Sequence, residues 1–238
     1  MTVKPYLPTA GPAVPSPSLA RILPFATYLL FILIADVLGR LGYGAAELRW
    51  LYAVKVGAVL ALLLAFRHAY TELAWTGLGA RWASLSIATG LVVFALWITL
   101  GADWMRIGAS PGFDPRDQAG AIDWGLAAAR IAGAALVVPV MEELFWRSFL
   151  QRWLAPSGQS GAGFLAVRPA AAGARALLIT SVAFGFEHDL WLAGIVAGLA
   201  YGLLYMRSGN LWTAILAHAV TNGVLGVWIV ASGNWQYW

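Results

Sequence analysis

Residues 131–152, IAGAALVVPVMEELFWRSFLQR, carry an uncharged apolar run directly into two adjacent acids, Glu142 and Glu143. A charged side chain near the centre of a bilayer costs at least about 2.5 to 3.5 kcal/mol on insertion scales, so each one needs a partner or a function. Arg147 follows Glu143 by four positions, the order in which a glutamate and an arginine pair on one helix. The stretch therefore predicts a membrane helix with one partnered acid and a second acid beside it.

The second acid, Glu142, has no partner of this kind. Neighbouring side chains on a helix point about 100° apart, so we expect the two carboxylates to face different targets. A carboxylate that faces a cavity without a cation is suited to act as a general base. A second structural ion pair near the cytoplasmic surface is the alternative that this stretch alone leaves open.

The composition of the whole chain agrees with a membrane protein. Of 238 residues 61% are hydrophobic and 11% are charged, and the mean hydropathy is +0.73, outside the range of soluble domains. The chain has no cysteine, which excludes disulfides, a thiolate nucleophile and cysteine-ligated metal. Its basic residues are scattered singly between apolar segments, so the net charge of +4 does not indicate a nucleic-acid partner.

The apolar segments predict an all-α bundle of about seven transmembrane helices (six to eight) around a polar cavity, since a span needs about 20 apolar residues. The predicted spans are residues 22–38, 50–66, 84–101, 122–146, 174–188, 190–206 and 211–231. We interpret residues 1–20 as a proline-rich tail and residues 21–238 as one transmembrane domain.

The distribution of lysine and arginine predicts the orientation of the chain. Cytoplasmic loops carry an excess of these residues. The end of the bundle that holds the N-terminus collects eight of them: Lys4, Arg21, Arg67, Arg81, Arg152, Arg168, Arg175 and Arg207. The opposite end collects four: Arg40, Arg49, Arg106 and Arg116. We therefore expect the N-terminus in the cytoplasm.

Further polar residues follow in the later spans. His188 ends the short fifth span, and His218 and Asn222 stand four positions apart on the seventh, which places them on one helix face. Together with the acids of the fourth span, they could activate water and stabilise an oxyanion, as in a peptide hydrolase without a nucleophilic side chain. The same set, as Glu142, His188 and His218, could instead ligate a divalent metal such as zinc, and the sequence leaves both chemistries open.

These residues resemble a known family. Glu142-Glu143-x-x-x-Arg147, Phe184-x-x-x-His188 and His218-x-x-x-Asn222 look like the three motifs of the CPBP intramembrane proteases. That group includes the type II CAAX prenyl endopeptidases and the bacteriocin self-immunity proteins of bacteria. The resemblance covers about residues 125–230. One departure is Ser148, where the family often has glycine.

The resemblance implies a helix bundle whose cavity opens toward the cytoplasm and the membrane. It implies that Glu142 activates water, that His188 assists it, and that His218 and Asn222 stabilise the oxyanion, while Glu143 and Arg147 hold the helix in place. Members are discussed both as glutamate-type and as metal-dependent proteases. Residues 142–154 and 187–194 are also similar to CAAX-protease-related proteins of bacteria with exosortase systems.

We therefore expect an intramembrane endopeptidase of the bacterial inner membrane that cleaves a membrane-embedded or lipidated protein. The alternative is a non-enzymatic immunity or assembly partner of a surface-protein sorting system, and a small transporter is a third reading. Nothing in the sequence indicates an oligomeric state.

Overall fold

The computed structural model of the protein describes residues 15–108, 112–117, 119–156 and 163–238. Within these ranges the chain is almost entirely helical, and β structure is confined to one isolated bridge between Arg116 and Ile122. The long helices are α1 (Pro17–Arg40), α2 (Leu51–Ala65), α3 (Gly79–Thr99), α4 (Trp124–Gln151), α5 (Gly173–Phe186), α6 (Trp191–Ser208) and α7 (Leu211–Ser232).

The predicted all-α membrane bundle is confirmed. Five helices of the described ranges are long and apolar enough to cross a membrane: α1, α2 with the turn before it, α3, α4 and α7. The other two are shorter, α5 with 14 residues and α6 with 18. The predicted tail falls mostly on residues outside the described ranges, and its last residues, 17–20, already belong to α1.

The two short helices pack closely because α6 presents glycines to α5. Gly194 and Gly198 stand one helical turn apart. A Cβ atom on Gly194 would lie 2.8 Å from Gly185 Cα, and one on Gly198 would lie 2.8 Å from Ser181 Cα. Small residues at this spacing allow two backbones to approach in a membrane. This packing carries the end of α5, and with it His188, against α6.

The helix that carries the acids is not a regular α-helix. It starts at Asp123, whose side chain accepts a hydrogen bond from Leu126 N (3.1 Å), as an N-cap does. Two stretches, Gly133–Val137 and Leu144–Gln151, are wound as π-helix. Such wider turns are frequent at functional sites. Glu142 and Glu143 lie between them, on the segment Val138–Glu143.

A buried polar cluster closes the end of the bundle that holds the start of α1. Arg21 donates to both carboxylate oxygens of Glu72, from Nε (2.8 Å) and Nη2 (2.5 Å), and Ser148 Oγ donates to the same carboxylate. Arg152 Nε donates to Val167 O (2.8 Å) beside them. Ser148, the departure from the family's glycine, therefore anchors α4 to the loop between α2 and α3.

The environment of Glu72 shifts its acidity. Burial alone would raise the pKa of this carboxyl, but the hydrogen bonds and charge of Arg21, with the hydrogen bond from Ser148, outweigh it and hold the pKa below its ordinary value of 4.5. A carboxyl whose pKa is lower in the folded than in the unfolded protein stabilises the fold at pH values above its unfolded-state pKa. This stabilisation is lost as the pH falls through the folded-state pKa.

We predict that Glu72→Gln lowers the free energy of unfolding in detergent by about 3 to 5 kcal/mol at pH 7, because Arg21 is left buried without its partner. The difference from the native chain should stay constant down to about pH 4.5 and shrink below it. The control is Asp36→Asn, which removes an exposed pair with Arg40 (2.9 Å) and should cost about 1 kcal/mol or less. A pH-independent deficit for Glu72→Gln would contradict the assignment.

Candidate active site

A cavity of about 190 Å³ lies inside the bundle. Four of the predicted site residues line it: Glu142 from α4, His188 from the turn after α5, and His218 and Asn222 from α7. The structure thus brings together side chains that are up to 80 positions apart in the sequence.

The partnered acid, Glu143, forms the pair that its spacing predicts. Arg147 Nη1 lies 3.0 Å from Glu143 Oε1, and both side chains are almost fully buried, 2% and 0% exposed. The same carboxylate oxygen contacts His218 Nδ1 at 2.9 Å. Glu143 therefore binds a residue of its own helix and a residue of α7, and it fixes the orientation of the His218 ring.

The expectation that the two acids face different targets is wrong in one respect. His218 Nε2 lies 3.9 Å from Glu142 Oε2, so one imidazole stands between both carboxylates, one at each ring nitrogen. The reason is that the ring lies across the helix face and its two nitrogens point to opposite sides. Glu142 Oε2 is buried and accepts no hydrogen bond from the described residues. The Glu142 side chain also lines the cavity, so its carboxyl is not committed to the structural pair that holds Glu143.

His188 is held in place by the last turn of α5. Its Nδ1 lies 2.8 Å from Phe184 O, a contact in which the ring nitrogen donates and the carbonyl accepts. That tautomer leaves Nε2 as an acceptor. The ring also packs edge-on against Trp97, with centroids 5.3 Å apart. The motif Phe184-x-x-x-His188 thus supplies both the residue that orients the imidazole and the imidazole itself.

Asn222 supplies a hydrogen-bond donor that the backbone of α4 lacks. In the π-turn Gly133–Val137, Val138 N donates to Gly133 O, so Ala134 O would need the N–H of residue 139. That residue is Pro139, which has none. Asn222 Nδ2 donates to Ala134 O instead (2.9 Å). One amide hydrogen is therefore committed to structure, and the other is available in the cavity.

Sequence analysis missed the residues that support His218 from behind. The Tyr201 ring stacks on the imidazole, with centroids 5.0 Å apart and planes 20° apart. Its hydroxyl donates to Thr221 Oγ1 (2.7 Å), which in turn donates to Gly90 O (2.9 Å). Thr221 stands next to Asn222, and no spacing rule singles it out. Glu187, beside His188, accepts a hydrogen bond from Trp146 Nε1 (3.0 Å).

Residues 124–224 match the family model of the type II CAAX prenyl endopeptidase Rce1-like proteins. These residues belong to that family. The matched segment runs from the start of α4 into α7 and contains all six predicted site residues. No curated protein and no solved structure is significantly similar to the chain. The match and the apolar helices support a multi-pass membrane protein with a segment of a membrane-protease family, while the relation to exosortase systems stays a prediction.

Metal binding by Glu142, His188 and His218 stays a prediction. Within the described residues no three His, Asp or Glu side chains converge at the spacing that a metal ion requires. His218 Nδ1 lies 2.9 Å from Glu143 Oε1, and His218 Nε2 lies 3.9 Å from Glu142 Oε2.

The cavity lies toward the end of the bundle opposite the first residue of α1. Its wall is marked by Trp97 at the end of α3, Arg130 near the start of α4, His188 after α5 and Tyr237 beyond α7. The expectation of a cytoplasmic N-terminus and the expectation of a cavity open to the cytoplasm therefore exclude each other in this fold.

We predict that Asn222→Ala lowers the free energy of unfolding by about 1 to 3 kcal/mol, because Ala134 O then lacks a donor. In a chain that also carries Pro139→Ala, the same change should cost less, since residue 139 regains an N–H. A double-mutant cycle on unfolding in detergent measures this coupling. Additive costs would contradict the interpretation of Asn222 as the donor that replaces the missing proline N–H.

Proposed function

We propose that the protein is a glutamate-type intramembrane endopeptidase that hydrolyses a peptide bond of a membrane-embedded or lipidated protein. The observation that supports this most is the division between the two acids. Glu143 is held by Arg147 and His218 at about 3 Å, while Glu142 lines the cavity and its carboxylate accepts no hydrogen bond from the described residues. An uncommitted carboxylate on the wall of a buried cavity is placed to act on water.

In the first step a water molecule lies between Glu142 and His188. Glu142 accepts one proton of the water, and His188 Nε2 accepts a hydrogen bond from the other. The oxygen attacks the carbonyl carbon of the peptide bond. The negative charge that develops on the carbonyl oxygen is stabilised by the remaining amide hydrogen of Asn222, as in other oxyanion sites.

In the second step the tetrahedral intermediate collapses, the C–N bond breaks, and the proton taken from water goes to the leaving amine. Glu142 can pass it to His218 Nε2, whose opposite nitrogen is held by Glu143. The cation that forms would be stabilised by Glu143, as an imidazolium beside an aspartate is in serine proteases. His218 then donates to the oxyanion and finally protonates the leaving amine, so that water is consumed and the base is regenerated.

We predict that Glu142→Gln lowers the cleavage rate by about a thousandfold, within the range of general-base catalysis. The purified protein in vesicles is incubated with a library of membrane-anchored and lipidated peptides, and new termini are identified by mass spectrometry. The control is Glu47→Gln, which changes an exposed acid of the turn before α2 and should cleave normally.

Two outcomes of this assay would redirect the proposal. Cleavage by Glu142→Gln at the native rate would contradict a glutamate base. If the protein has a cellular effect that survives Glu142→Gln while no cleavage occurs, the non-enzymatic assembly or immunity partner is favoured. Loss of cleavage with a chelator, restored by one divalent metal, would show a metal-dependent enzyme in place of the water chemistry described above.

We further propose that the protein lies in a bacterial inner membrane with its N-terminus in the cytoplasm, because eight basic residues stand at that end against four at the other. Since the cavity lies toward the opposite end, its substrates would reach it from the non-cytoplasmic side. This departs from the cytoplasmic opening that the family resemblance implies.

The absence of cysteine from the chain allows a direct test of this orientation. We predict that Ala102→Cys, an exposed position after α3, is labelled by a membrane-impermeant maleimide in intact spheroplasts. Thr76→Cys, exposed before α3 at the other end, should be labelled only after the membrane is opened. The reverse pattern would place the cavity on the cytoplasmic side.

A further inference from the structure

Arg130 is a cation on the cavity wall that the proposed reaction does not use. Its guanidinium lies among aromatic rings. Its Cζ is 4.5 Å from the centroid of Tyr52, 4.7 Å from that of Phe113 and 5.9 Å from that of Trp238. It forms no ion pair with a carboxylate in the part of the chain that the structure describes, although it lines the cavity with Glu142.

A second cation, Lys55, lies against aromatic rings of the same cavity. Lys55 Nζ lies 3.8 Å from the centroid of Tyr28 and 5.1 Å from that of Tyr52, and both rings line the cavity. Lys55, too, pairs with no acid among the described residues. Cation–π contacts contribute about 0.5 to 2 kcal/mol, far less than removal of a charge from water costs. Two half-buried basic residues held by aromatic faces therefore stand against one acid of the cavity, Glu142, which leaves an excess of positive charge in this region.

The shape of this region selects the kind of anion. A guanidinium offers parallel N–H donors that match a carboxylate, and the rings around Arg130 leave it half-buried on the cavity wall. The cavity of about 190 Å³ is small, which suits an extended peptide end better than a phospholipid head group with its two acyl chains. A carboxylate bound here would lie in the same cavity as the proposed catalytic base.

We propose that Arg130, assisted by Lys55, binds a carboxylate of the peptide substrate on the side of the scissile bond toward the cavity mouth. This proposal rests on the proposed endopeptidase function. Arg130 precedes Glu142 by 12 positions on α4, which corresponds to about 18 Å of helix at most. An extended chain covers about 3.4 Å per residue. The bound carboxylate therefore lies within about five residues of the cleaved bond.

The shared chemistry is a carboxylate, which the substrate could supply as its C-terminus or as an aspartate or glutamate side chain. The test uses N-palmitoyl peptides of five alanines with three endings: a free carboxylate, a carboxamide, and a carboxamide preceded by glutamate. Binding to the Glu142→Gln protein in detergent is followed by the shift of the unfolding midpoint with peptide concentration, so that no cleavage is required.

We expect at least one of the two carboxylate peptides to bind about tenfold or more tightly than the uncharged carboxamide, as a charge-assisted hydrogen bond would give. Whichever binds identifies the source of the carboxylate. Arg130→Gln should remove this preference, Arg130→Lys should retain part of it, and Arg49→Gln, at the same end of the bundle, should leave it unchanged.

Three results would overturn the carboxylate site: equal binding of all three peptides, no binding of either acid, or an unchanged preference in Arg130→Gln. Displacement of the peptide by phosphatidylglycerol micelles, without any preference for the acids, would assign the cations to lipid and also overturn it. The proposed function fails separately: an acid preference that depends on Arg130, in a protein whose native form cleaves no peptide, would refute the protease and keep the site.

Discussion

The contact between Glu143, Arg147 and His218 is the constraint on which the rest of the site depends. A charge buried in a bilayer is tolerated only with a partner, and here one carboxylate serves a guanidinium at 3.0 Å and an imidazole at 2.9 Å. The guanidinium also lies over the rings of Phe184 (4.4 Å) and Tyr201 (5.5 Å). One buried group thereby joins four helices, α4, α5, α6 and α7, and leaves Glu142 as the acid without a hydrogen-bond donor.

The bundle separates the polar groups that hold it together from those that face the cavity. At the end near the start of α1, Arg21, Glu72 and Ser148 satisfy one another and tie α1, the loop after α2 and α4 together. In the middle of the bundle, the π-turn before Pro139 leaves Ala134 O without a donor from its own helix, and Asn222 donates a hydrogen bond to it. Positions that carry backbone defects often lie at functional sites, and in this chain the repaired defect places an amide in the cavity.

Sequence patterns predicted the parts of this structure that depend on local rules. The helices followed from apolar length, the Glu143–Arg147 pair from four-residue spacing, and the grouping of Glu142, His188, His218 and Asn222 from the cost of polar residues in membranes. Contacts between distant positions could not be read in this way. Arg21 was counted as a topology signal but pairs with Glu72, 51 positions away, and the stacking of Tyr201 on His218 depends on the close packing of α6. The end of the bundle toward which the cavity lies could be inferred only once the positions of all the helix ends were known.

The central claim is that Glu143 on α4 and His218 on α7 are bound to each other inside the bundle. A double-mutant cycle with Glu143→Gln and His218→Asn, measured on the free energy of unfolding in detergent, tests it most directly. Residues in one hydrogen-bonded network show interaction energies of about 0.5 to 3 kcal/mol, and we expect a value in the upper half of that range. Costs that add to within about 0.5 kcal/mol would show that the two side chains do not meet, and the active site described above would then not exist.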